Sequence, residues 1–370
     1  MSEPIKVLLV GDVMTGRGID QILPHPAAPG LHERWMVSAE DYVRLAEMAN
    51  GAIARPAGFD YPWGDALPAR RAAAPDLVIA NLETAITRHD RYAPKGINYR
   101  MNPKNVGCLT AAGVDACALA NNHVLDWRTR GLIDTLGALR AAGIQVAGAG
   151  RNLPAAKAPA ILTSRSGGRV LLIACAVADS GTPPDWAAGP RRAGVNLVEL
   201  SDADVEEIAA RLAAVRKPGD VAVVSIHWGS NWGYEIAPRH RRFAHALIRR
   251  AGVAIVHGHS SHHPKGAEVF DGRLILYGCG DFLNDYEGIE GYEAFRGDLV
   301  AAYLASVDAG SGELRQLEIL PYQLRRFRLT NPAEDDVRWL RERLDRECAK
   351  LGAHVAADGR RLRLAWGDGA

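Results

Sequence analysis

The feature that most constrains this chain is a set of short Val-, Ile- and Leu-rich runs, most of them followed at once by a residue that can hold a cation or move a proton. The runs cover 5–10, 77–80, 115–120, 144–147, 170–177, 221–226 and 253–256. Apolar runs of this length, separated by helical patterns, read as strands buried on both faces, so the fold class is α/β. The intervening helices show in Leu132, Ile133, Leu136 and Leu139, in Val205, Ile208, Leu212 and Val215 behind Ser201-x-x-Asp204, and in Phe243, Leu247 and Ile248. Further on the rhythm changes. Asp271-Gly272 between 268–270 and 273–277 is a type I′ hairpin signal, and a second hairpin joins 299–306 to 314–321. Val337, Leu340, Leu344, Cys348 and Leu351 line one face of a terminal helix. The expected organisation is one domain over 1–330, with a Pro- and Gly-rich insertion at about 24–68, and a helical extension over 331–370 packed on it.

Open α/β sheets bind ligands outside the carboxyl ends of their strands. Here those ends carry Gly11-Asp12, Asn81-Leu82-Glu83, Asn121-Asn122-His123, His227-Trp228-Gly229 and His257-Gly258-His259-Ser-Ser-His262-His263. One such residue alone is usually a cap or a satisfied core polar group. Five successive strand ends form a pattern, and their oxygen and imidazole donors suit Mn, Fe, Zn, Mg or Ca. Seven of the 12 histidines fall between 227 and 263. Among them His240 and His245 lie in a helical pattern and read as helix-surface residues, while His257 and His263 read as supports for His259 and His262.

Composition excludes several function classes. With 44 Lys+Arg against 43 Asp+Glu, the net charge of +1 offers no field for nucleic acid or an anionic membrane. No apolar run approaches the ~20 residues that span a bilayer, and the first residues show no leader pattern. Five cysteines without pairing or CxxC spacing fit a reducing compartment, so the expected location is cytoplasmic. No glycine-rich phosphate loop calls for an organic cofactor.

Taken in order, Gly11-Asp12, Asn81-Leu82-Glu83, Asn121-Asn122-His123, His227-Trp228-Gly229, Gly258-His259-x-x-His262 and Tyr277-Gly-x-Gly-Asp281-Phe282 resemble the CapA-type poly-γ-glutamate (capsule) biosynthesis family of the calcineurin-like metallophosphatase fold group. The resemblance runs over about residues 5–285. It implies a four-layer α/β/β/α sandwich with one or two divalent ions between two sheets. It implies Asp12, Glu83, Asn122, His227, His259 and His262 as metal ligands, and His123 as an acid. The sequence departs from the phosphoesterase pattern at Met14, where those enzymes carry a histidine, and at Glu83, where they carry an aspartate. A thioether is a poor ligand for such ions, which counts against two-metal phosphoryl chemistry.

Beside the metal, Asp281 with His123 and His262 offers acid/base groups; Arg17 and Lys95 are candidate partners for a substrate carboxylate, and Trp228 and Trp232 are candidate pocket walls. The favoured reading is a metal-dependent enzyme acting on a peptide or polyamide. Its form is L-to-D epimerisation at the α-carbon of a C-terminal residue, because relatives of this family include epimerases of lasso-type ribosomal peptides. The alternatives are a poly-γ-glutamate biosynthesis enzyme and a metallophosphoesterase or other hydrolase.

Overall fold

The computed structural model describes residues 3–165 and 167–367; Met1 and Ser2, the start of the segment without a leader pattern, lie outside them. Strand Arg169–Val177 shows how the layers are made. Its even-numbered apolar residues, Val170 to Ala176, belong to a core shared with a second sheet, while Leu171, Ile173, Cys175 and Val177 pack on helices Asp202–Ala213 and Pro238–Ala251. Strand Val221–His227 repeats the division, with Val221 and Val223 inward and Ala222, Val224 and Ile226 towards the helices. Period-two alternation thus gives one strand two apolar faces, as burial between a sheet and helices requires.

The sheet holding these strands has seven members, among them the parallel neighbours Arg169–Val177, Val221–His227 and Ile255–His259. The other has ten. Its parallel part runs from Ile5–Val13 through Leu77–Leu82 and Ala116–Ala118 to Gln145–Ala147, and its antiparallel part from Leu299–Val307 to Leu314–Leu324. Helices Ala66–Ala73 and Arg128–Ala141 cover its outer face, completing the mixed α/β sandwich. Local signals hold: Ser201 and Asp204 form a reciprocal capping box, a motif worth ~1 kcal/mol, and Asp271 and Gly272 take the positive φ values of a type I′ turn.

Two expectations need correction. The 331–370 extension is not wholly helical. Helix Glu334–Ala349 is followed by a hairpin, Ala353–Asp358 and Arg361–Trp366, whose second strand pairs with Leu314–Leu324 and becomes part of the large sheet. Its alternation of buried and exposed residues over only six positions, Ala353 and Val355 inward, is too short to stand out beside the helix. His240 is not a helix-surface residue either. It is buried, stacks on Trp228 at 4.8 Å and reaches Asp179 at 2.7 Å through Nε2. His245 lies flat on Phe270 and bonds Glu268 at 3.1 Å.

Candidate metal centre and catalytic site

The site is assembled where the parallel strands of both sheets end. Asn121 donates to Asn81, at 3.1 Å, and Asn81 donates to Asp12 Oδ1, at 2.7 Å, so one amide chain ties three adjacent strand ends together. Asp12 Oδ2 accepts from Ser260 N at 3.1 Å, which links it to the opposite sheet. The first strand also meets the Gly278–Asp281 segment backbone to backbone. Asp12 N donates to Gly280 O at 3.0 Å, and a Cβ on Gly11 would lie 1.8 Å from that same oxygen, so no side chain fits at position 11. Asp12 and Asp281 are in register across this contact.

Asp12, His227 and His259 form a buried triad whose donor atoms all lie within 4.8 Å of one another. His227 and His259 are in register on neighbouring strands, and Ser225 Oγ stands between His259 Nε2, at 2.9 Å, and His257 Nδ1, at 3.0 Å. His257 therefore supports His259 through a hydroxyl and does not touch the centre directly. Glu83 closes the cluster from the next strand, with Oε1 3.6 Å from His123 Nε2 and 4.0 Å from His227 Nε2.

The electrostatics fit a divalent cation. Burial and the charge of Asp281 push Asp12 up to about 7, and burial together with Asp12 pushes Glu83 well above the carboxylate range. Burial holds His227 and His259 well below the usual imidazole value, so both are neutral and ready to ligate. Glu83 Oε2 and Asn122 Oδ1 are buried without a hydrogen-bond partner. Orphaned buried oxygens are costly, and a cation would satisfy them. Asp12, His227 and His259 could hold the ion, with Glu83 at their edge; Asn122 offers an unpartnered oxygen on the neighbouring strand end.

His262 stands apart from this cluster. Its Nδ1 meets Asp281 at 2.9 and 3.1 Å and its Nε2 meets the Asn231 amide at 2.9 Å, so in this arrangement it is a partner of Asp281 and not a ligand. Burial lowers its proton affinity, but the charge and hydrogen bond of Asp281 outweigh this and raise it above the usual histidine value. On the other side of Asp12 along the sheet, His123 makes a matching pair: Nδ1 is 2.7 Å from Asp126, while burial pulls its affinity down to about 4. Asp126 was missed from sequence, although its i+3 spacing in His123-Val-Leu-Asp126 on a strand end was the signal. His263 does not support His262; it packs against Tyr234 and Phe295.

A cavity of about 980 Å³ opens onto the His262–Asp281 pair. Trp232 lines it, stacked on Tyr292 at 4.0 Å. Trp228 does not. It is buried between His240 and Tyr277, its indole N–H donating to Tyr277 O at 2.9 Å, and is core. Lys95 is also taken, since Nζ lies 2.8 Å from Asp126 and against Asn122 O, beside His123. Arg17 lines the cavity but is engaged by two of the chain's own carboxylates, Asp285 and Glu33. Glu33 and Tyr42 carried no sequence motif, and Asp285, which beside Asp281 reads as a possible site carboxylate, is spent on Arg17; only the fold brings 16, 25 and 268 residues of separation to one guanidinium.

Strand ends that bring carboxylate, amide and imidazole donors together at one point between two sheets define a protein of the calcineurin-like metallophosphatase superfamily. Within it the match is narrower. Residues 6–286 fit the family described as "Bacterial capsule synthesis protein PGA_cap", and the chain belongs to that family. It is 49% identical over 354 residues to a "Probable polyglutamine synthesis accessory protein" of Mycobacterium tuberculosis, covering 95% of this chain and 93% of that one. It is also 29% identical to the "PGA biosynthesis protein CapA" of Bacillus subtilis, over 66% of this chain and 62% of the relative. With the "Capsule biosynthesis protein CapA" of Bacillus anthracis the identity is 24%, over 77% and 61%. Among the described residues no helix is long and apolar enough to cross a membrane.

Proposed function

We propose that this chain is a metal-dependent enzyme acting on the backbone of a glutamate polyamide during its synthesis. The names of its relatives in polyglutamine, PGA and capsule synthesis support that substrate over a lasso peptide. The observation that carries the reading is the pairing of the buried ligand cluster with the His262–Asp281 pair at the floor of an open cavity. A divalent ion held there supplies Lewis acidity towards an amide or carboxylate oxygen. His262, its Nδ1 oriented by Asp281, lines the cavity with Nε2 against the Asn231 amide, and it would act as general base or acid where a substrate group replaces that amide. His123 is held by Asp126 and Lys95 against Glu83, where, kept neutral by burial, it can take up a proton. Trp232 and Tyr292 give the polyamide an apolar wall to lie on. Five buried free thiols suit a reducing compartment.

A second reading keeps one specific support. Epimerisation at an α-carbon needs two acid/base groups on opposite faces, and the two His–Asp pairs approach Asp12 from opposite directions along the sheet. One experiment separates the two: the metal-loaded protein is incubated in D2O with poly-γ-glutamate oligomers and products are followed by mass. Shortening or transfer of the chain supports the first reading, and one deuterium per unit at unchanged length supports the second. Unchanged oligomers with both Mn and Zn would sink both.

A further inference from the structure

Arg17 is a buried cation with a surplus of negative partners. Its Nε and Nη2 face Asp285, with Nε–Oδ2 at 3.1 Å, and Asp285 also accepts from Gly18 N at 2.9 Å, so this pair is part of the core. One carboxylate already neutralises the guanidinium. The remaining edge, Nη1, holds a second carboxylate, Glu33 at 2.9 Å, and the Tyr42 hydroxyl at 2.9 Å, while Tyr42 itself hydrogen-bonds Glu33. The rings of Tyr42 and Tyr99 lie at 3.9 and 4.5 Å from the guanidinium, and Arg17, Glu33 and Tyr42 all line the cavity.

The residue filling the edge comes from an irregular loop. Leu31 N bonds Val37 O at 2.9 Å, so the loop closes on itself, and next to Glu33 it exposes Trp35 at 82% and Val37 at 74%. Tyr286 stands between this edge and the catalytic pair, its ring 5.7 Å from the Arg17 guanidinium and 5.4 Å from the His262 ring. An anion held at Arg17 is therefore one aromatic ring away from His262.

We propose that the Nη1 edge of Arg17 with the Tyr42 hydroxyl is the recognition site for a carboxylate of the substrate, and that Glu33 occupies it as an internal surrogate which the substrate displaces. The inference rests on the glutamate-polyamide reading above and gives it a specificity element. The shared chemistry is a carboxylate held by a planar guanidinium and a phenol. Its source is either a side-group carboxylate of the polymer or the chain terminus.

The test measures binding of tetra-γ-glutamate, of its C-terminal amide and of glutarate to the metal-loaded full chain, as wild type, Glu33→Gln and Tyr42→Phe. Removing the competing charge raises the fraction of receptive protein, so Glu33→Gln should tighten the tetramer about tenfold, and Tyr42→Phe should weaken it. Equal tightening of the amide assigns the site to a side-group carboxylate; tightening lost in the amide assigns it to the terminus. If neither tetramer binds either protein while glutarate binds Glu33→Gln more tightly, the carboxylate site stands and the polyglutamate reading falls. If the tetramer binds or turns over and Glu33→Gln leaves all three probes unchanged or weaker, the surrogate assignment is overturned.

Discussion

His227 and His259 face each other in register on neighbouring parallel strands, with their Nδ1 atoms 2.9 Å apart. Burial keeps both rings uncharged, and Asp12 Oδ1 lies 3.7 Å from His259 Nδ1. Two neutral imidazoles and a carboxylate this close are a ligand set in search of a cation. His227→Ala and Asp12→Asn should therefore each lose bound metal in elemental analysis, whereas His262→Gln should retain it. For the wild type, metal at about 100 times its Kd should add ~2.7 kcal/mol of stability, read as a Tm rise that a chelator reverses. Metal loss from His262→Gln equal to that from His227→Ala would show that the ligand set extends to His262.

The His262–Asp281 pair should govern turnover without governing metal content. General acid–base groups contribute ~10²–10⁴-fold, so His262→Gln and Asp281→Asn should lower kcat within that range. Asn284 donates to Asp281 at 2.8 Å, and an amide at 281 keeps the shape of the contact. Full activity in Asp281→Asn, measured at saturating metal, would remove the pair from the mechanism.

Acid stability should depend on Asp179. Burial favours its neutral form, but hydrogen bonds from His240 and Gly229 and the charges of His240 and Arg239 hold it down to about 2. A carboxyl lowered on folding stabilises the native state above its ordinary value of 3.8 and loses that contribution as pH falls through about 2. With solvent screening the contribution is about 1–2 kcal/mol. Urea unfolding at pH 7 and pH 3 should show that Asp179→Asn is less stable at pH 7 and has a flatter acid limb. A parent-like pH dependence in the variant would contradict this.

Trp228 and His240 should behave as core. Trp228→Ala should cost ~3–5 kcal/mol through loss of packing, and His240→Ala, which leaves Asp179 with Gly229 N and Arg239 but removes its buried imidazole partner, ~1 kcal/mol. Chemical denaturation measures both. Retained metal in the folded variants would separate them from the ligands nearby, whereas wild-type stability would return them to the surface.

The terminal hairpin should be indispensable. Deleting residues from 353 onward removes the buried Ala353, Val355, Leu362 and Leu364, worth roughly 5 kcal/mol, and uncovers the edge of strand Leu314–Leu324. Light scattering should register aggregation of the truncated chain. An unchanged unfolding midpoint with a monomeric product would count against the hairpin as part of the sheet.

The parallel core was legible because its residues obey local rules: apolar runs mark buried strands, and the polar residue after each run marks the end that faces a ligand. Asp12, Glu83, His227 and His259 could be gathered for that reason. The rest depends on distance across the fold. His240 looked solvent-facing because its helix carries Arg239, Arg241 and Arg242 beside it, yet the helix face it shares with Phe243 and Leu247 turns inward. Arg17 reads as available to a substrate because its pairing with Glu33, Tyr42 and Asp285 leaves no trace in sequence. The family resemblance implies His262 as a ligand, whereas Ser260, at φ 99°, turns the chain so that His262 meets Asp281.

The contact between Gly11 and Gly280 has a consequence for how such a site can diversify. Because main chain rests on main chain there, the spacing of Asp12 and Asp281 is set by the peptide units and is indifferent to the neighbouring side chains. Position 14, two residues beyond Asp12, is restricted by packing instead: the Met14 side chain is fully buried and its sulfur accepts from the Tyr286 hydroxyl at 3.3 Å. The frame is therefore fixed by main chain at 11 and by side-chain packing at 14.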